Sequence, residues 1–151
     1  MSVAFRRESD EEHKEPRFEI PIPVGPNLVT PTGLAQIEAR VAELEPMIAA
    51  ESDEARLAEA KRDLRYWRTR LATAQVAPAA AEGQAGIGSQ VSYRHKGRLK
   101  EMRIVGDDEA DPANGSVSFS SPLGRALIGS EVGDLIDFAG ETEAIEVLRL
   151  T

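Results

Sequence analysis

Three carboxylates crowd one short interval of this chain: Glu51, Asp53 and Glu54. On a turn between two helices, such acids are the oxygen ligands a hard cation like magnesium takes. They also suit a helix start, where a side-chain oxygen accepts an orphan N–H and negative charge meets the positive dipole end. Further on, Lys61, Arg65 and Arg68 share one helical face by i,i+4 and i,i+3 spacing. That strip fits an anionic surface or RNA, or ion pairs with Glu38, Glu43 and Glu45. A third candidate is Ser120-Ser121-Pro122, which locally reads as an N-cap with proline at the first helical position. Cysteine is absent and histidine occurs only at 13 and 95, so thiolate chemistry is excluded and a zinc site is not expected. No nucleophile–base pair or glycine-rich phosphate loop is present, and no catalytic residue of the chain's own is expected.

Two heptad seams must position the acids and the basic strip. Leu34, Ile37, Val41, Leu44 and Ile48 form one; Leu57, Ala60, Leu64, Trp67, Leu71 and Ala74 form the other. Thr30 or Thr32 caps the first helix, and Ser52 with the acids after it opens the second. The short connection predicts an antiparallel coiled-coil hairpin over 30–76, roughly 30 Å long. Pro46 is expected to kink the first helix or split off its last turn. Residues 1–29, charged and then proline-rich, read as a flexible tail, with a strap through Phe18, Ile20 and Ile22 as the alternative. Residues 77–88, rich in Ala, Gly and Pro, read as a linker.

Residues 89–151 alternate like short strands: 90–95, 99–105, 117–120, 135–139 and 144–150. Lys96-Gly97 supplies a hairpin turn. Ser121 caps a short helix over 122–128, and Gly129 ends it. The acidic stretch 107–115 reads as an exposed connection, with Arg94, Lys96, Arg98 and Lys100 balancing its charge. The fold class is therefore α+β: a helical hairpin followed by a small antiparallel sheet domain with one short helix.

The net charge is −8, and residues 77–151 carry −5 of it. An acidic chain is a poor duplex-DNA binder, since phosphate contacts need a basic face. The charged N-terminus has no apolar stretch, and no run approaches the ~18 apolar residues of a membrane span. A soluble, cytoplasmic, monomeric protein with a protein partner is expected.

The C-terminal half resembles the bacterial Gre transcript-cleavage factors. The resemblance rests on Ile104-Val105-Gly106-Asp107-Asp108-Glu109-Ala110-Asp111, on Ser118 through Gly129, and on Glu131-Val132-Gly133-Asp134. Thr32-Gly33-Leu34 and Leu71 to Val76 extend it to the ends of the hairpin. It implies an FKBP-like C-terminal domain that docks beside the secondary channel of RNA polymerase while the coiled coil enters the channel. It also implies that tip acids help hold a magnesium ion shared with the polymerase active centre, with nucleic acid met only inside that complex. Ser120, Ser121 and Pro122 correspond to the docking segment, where family members often carry Asp or Asn at the Ser120 position. The family's tip words, Gly-Asp-Leu and Glu-Asn-Ala, are missing here, and the hairpin is shorter.

The resemblance implies an accessory elongation factor rather than an enzyme. The alternatives are a short-hairpin regulator that binds polymerase without stimulating cleavage, and a coiled-coil adaptor for another helical protein. A prolyl isomerase on the FKBP-like fold is disfavoured. Tyr93, Phe119 and Phe138 are the only aromatics in the C-terminal half, and a fold alone does not carry a function.

Overall fold

The computed structural model describes residues 19–151. Strand β1 (Leu28–Val29) leads into helix α1 (Pro31–Ala50); α2 (Glu54–Thr73) and β2 (Gln75–Val76) follow. The C-terminal part holds β3 (Gln90–His95), β4 (Arg98–Val105), β5 (Ser116–Ser118), α3 (Pro122–Leu127), β6 (Leu135–Phe138) and β7 (Glu141–Leu150). Contacts gather these residues into two units, 19–24 with 37–72, and 25–36 with 73–151.

The first unit is the hairpin, and its core follows the heptad seams. Val41, Leu44, Ala60 and Leu64 are buried together, with Ile48, Trp67 and Leu71 packed against them. A three-residue connection forces α1 and α2 to run antiparallel. Helix α1 continues through Pro46 to Ala50 rather than losing its last turn there. Pro46 lies on the exposed side, where water can serve the carbonyl that lost its N–H partner. Arg70, a base near the end of α2, is 1% exposed and bonded within the protein.

The second unit is a five-stranded sheet in the order β5-β4-β3-β7-β6. Its pairs are antiparallel as expected, except that β5 joins β4 in parallel. Two 3₁₀ turns, Asp107–Glu109 and Pro112–Asn114, carry the chain from β4 to β5. The β3–β4 turn is Lys96-Gly97, with φ of 53° and 74°, and the β6–β7 turn is Ala139-Gly140, with 52° and 82°. Both pairs have the left-handed geometry that suits the twist of a two-residue hairpin. Alternation sends Val91 and Tyr93 of β3 and Ile145 and Val147 of β7 into one core with Ile104 and Leu127. Burial raises the Tyr93 phenol above its usual pKa, because the charged form is penalised away from water.

Two boundaries differ from the sequence reading. Leu28–Val29, assigned to the tail, pairs in parallel with Gln75–Val76, and Asn27 donates to Thr73 Oγ1 at 3.2 Å. The 77–88 stretch is more than a linker, since Ala85 is 3% exposed and belongs to the sheet core, with Ile87 against it. Among the residues of the alternative strap, Ile20 is half-buried and Ile22 exposed; Phe18 lies outside the described residues.

Candidate functional sites

In the sheet unit, Ser120, Ser121 and Pro122 form one loop at the start of α3. Ser121 is the N-cap: its Oγ accepts from Gly124 N at 3.0 Å and donates to Ser118 O at 2.7 Å. Pro122 takes the first helical position, where a missing N–H costs nothing. Ser120 is held from behind by a residue the sequence reading assigned to an exposed connection. Asp107 Oδ1 accepts from both Ser118 Oγ and Ser120 Oγ, and the two hydroxyls lie 2.8 Å apart. A carboxylate thus stands directly behind the 120–122 loop, supplied from just past the end of β4. Downstream of it, Ile128, Val132 and Leu135 are large apolar side chains left 40–60% exposed.

The same 3₁₀ turn fastens the beginning of α1. Glu109 accepts from Thr30 Oγ1 at 2.5 Å, Thr30 N at 3.3 Å and Gly106 N at 3.1 Å. Thr30 in turn caps α1, its Oγ1 accepting from Gly33 N at 3.0 Å. A Cβ on Gly33 would sit 2.2 Å from Glu109 Oε2, so glycine leaves room for the carboxylate. Of the bases expected to balance the acidic turn, Arg94 is engaged elsewhere. Arg94 pairs with Glu146 at 2.9 Å across β3 and β7, and Arg103 donates to Gly88 O and Gln90 Oε1.

At the hairpin tip, two of the three acids are occupied locally. Asp53 Oδ2 accepts from Arg56 N at 3.0 Å, the capping bond of α2, and Glu51 Oε1 accepts from Asp53 N at 3.0 Å. Glu54 opens the helix. No group of three or more His, Cys, Asp or Glu residues disposed to hold a metal occurs among the described residues. Of the three acids, Asp53 serves as the cap of α2 and Glu51 bonds to the Asp53 amide just before it.

The basic strip lies where its spacing placed it. Lys61, Arg65 and Arg68 line a groove of the hairpin together with Glu45, Ile48 and Leu64. Arg68 meets Glu45 at 3.5 Å, one of the expected pairs across the hairpin. Arg65 instead holds Glu19, donating from Nε at 3.2 Å and from Nη2. That hydrogen bond, aided by the charges of Arg65 and Arg62, lowers the Glu19 carboxyl pKa.

Residues 80–150 match the family model for the C-terminal domain of the transcription elongation factors GreA and GreB. The transcription elongation factor GreA of Caulobacter vibrioides is 42% identical over 71 residues, 44% of this chain and 45% of that protein. GreA of a Chelativorans species is 53% identical over 53 residues, 34% of each chain. The match thus spans less than half the length of these relatives. Among solved structures, the GreA factor homolog 1 protein of Thermus thermophilus aligns with 84% of this chain and 99% of its own, at 18% identity and a TM-score of 0.41.

Proposed function

We propose that this chain is an accessory factor of bacterial RNA polymerase, related through residues 80–150 to the transcription elongation factors GreA and GreB. The sheet unit docks at the secondary channel through Ser120, Ser121 and Pro122, and the hairpin enters the channel. The match over 80–150 carries this reading, because it includes the whole docking loop. The Asp107 carboxylate behind Ser120 supports it further. It keeps negative charge at a position where relatives often place an acid or amide.

The hairpin tip favours a regulator that occupies the channel without driving transcript cleavage. Each helix has 20 residues, which gives an arm of about 30 Å, and Glu51 and Asp53 already serve as local acceptors. On a backtracked polymerase complex, the protein is expected to bind without shortening the stalled RNA. Replacing Asp53→Ala together with Glu54→Ala should leave polymerase binding unchanged and cost only a cap, ~1 kcal/mol of hairpin stability. RNA cleavage that appears with the intact chain and disappears with this pair would assign the acids to a magnesium ion shared with the polymerase.

A further inference from the structure

We propose that the groove between α1 and α2 docks an acidic amphipathic helix of a partner protein. The groove has a volume of about 490 Å³, and its wall sets three bases, Lys61, Arg65 and Arg68, against one acid, Glu45. Ile48 and Leu64 supply its apolar lining, the first half-buried and the second buried. Much of the positive charge is uncompensated. Lys61 is exposed and makes no ion pair among the described residues, and Arg68, 60% exposed, meets Glu45 only at 3.5 Å. Arg65 shows how the groove takes a carboxylate. It holds Glu19 side-on, donating from Nε at 3.2 Å and from Nη2.

Charge and spacing together select the occupant. Lys61, Arg65 and Arg68 climb α2 in steps of four and three residues, about 6 and 4.5 Å along the axis. Carboxylates at the same steps on a facing helix meet the three bases one to one. Aliphatic side chains on that helix face then reach Ile48 and Leu64, which is the helix-in-groove mode of recognition. RNA suits the groove less. No aromatic stands among its described lining residues, so bases find no stacking platform, and the Glu45 carboxylate repels phosphate. Exposed ion pairs are individually weak, so the partner is held by all three bases acting over the apolar lining. Glu19 must release Arg65 for that set to be complete, and the partner's acids therefore compete with the chain's own. The proposal stands independently of the polymerase reading, and its test contains no polymerase.

The probe is a fluorescein-labelled, alanine-based helical peptide of about 20 residues, long enough to hold a helix. It carries Glu at i, i+4 and i+7 with Leu on the same face, and the full-length protein is titrated in while anisotropy is read. Saturable binding that weakens as salt rises is expected. Lys61→Gln plus Arg68→Gln should weaken it about tenfold, the loss of two exposed pairs, and Glu19→Ala should tighten it about threefold by freeing Arg65. All three positions are exposed, and circular dichroism should show the helix content of each variant unchanged. A peptide of the same composition, with its Glu and Leu permuted off that face, should bind more weakly because its leucines miss Ile48 and Leu64. No saturable binding, equal binding of the permuted peptide, or an affinity that ignores these substitutions would overturn the proposal. So would tighter binding of a single-stranded RNA oligomer that displaces the peptide, which would give the groove to a nucleic acid.

Discussion

Gly124→Ala should destabilise the sheet unit severely, against the usual direction of a glycine-to-alanine change in a helix. Inside a helix that substitution ordinarily gains ~1 kcal/mol. Here the new Cβ would lie 2.0 Å from Ser118 O, 2.9 Å from Ser118 C and 3.0 Å from Phe119 Cα. All three are backbone atoms with no rotamer to escape into. Helix α3 must lift off β5 or the 118–121 turn must move, and either pulls Leu127 from the core. Overpacking of this kind costs roughly 3 kcal/mol, which lowers the melting temperature of a small domain by on the order of 15 °C. Gly129→Ala is the control: nothing lies within 4 Å of its Cβ, and only its φ of +81° is strained. That change should cost ~1 kcal/mol. Calorimetry showing Gly124→Ala to be neutral or stabilising would contradict the close seating of α3.

Glu109→Ala should be the second large loss, and it should be felt first at the start of α1. The substitution removes the acceptor of three hydrogen bonds, from Thr30 Oγ1, Thr30 N and Gly106 N. Bonds to a charged acceptor contribute ~1.5–3 kcal/mol each when desolvated. Glu109 is half-buried and water replaces part of that, so a total near 3 kcal/mol is expected. Glu109→Gln keeps a carbonyl acceptor and should recover part of the loss. Hydrogen exchange at Gly33 and Leu34 gives the local reading. Their amides bond to Thr30 Oγ1 and Thr30 O, so both should exchange faster in Glu109→Ala while core amides such as that of Val147 follow global stability alone. Equal acceleration everywhere would mean that Glu109 only adds bulk stability and does not fasten the helix start.

The readable parts of this protein are those set by local period and turn chemistry. Ile37, Val41, Leu44, Ala60 and Leu64 are buried because heptad spacing leaves them no other face. Ser121, Pro122 and Gly129 announce α3 through capping rules, and Lys96-Gly97 announces the β3–β4 hairpin. What stayed hidden depends on partners far away in the chain. Glu109 reaches Thr30 across 79 residues, and no period marks a two-residue parallel pairing such as Leu28–Val29 with Gln75–Val76. Ala85 looked like linker because alanine carries no pattern of its own, yet the core needed a small side chain there. Asp107 sits in an acidic run that composition assigns to solvent, and only the approach of β5 brings Ser118 and Ser120 to it. Arg70 shows the same limit in reverse, a base off the heptad seam that is nevertheless buried and bonded within the protein.

The loop proposed to dock, at the start of α3, is held by two fixtures, the Ser121 cap and the Asp107 carboxylate, in a region matched by the GreA/GreB C-terminal family model. The most direct test of its role is competition on purified bacterial core RNA polymerase. GreA from the bacterium that supplies the polymerase is labelled with a fluorophore and bound to it, and the unlabelled protein is titrated in. A shared docking site predicts complete, single-site displacement of the labelled GreA. Simultaneous binding of both proteins, or no binding of this one at all, would contradict it.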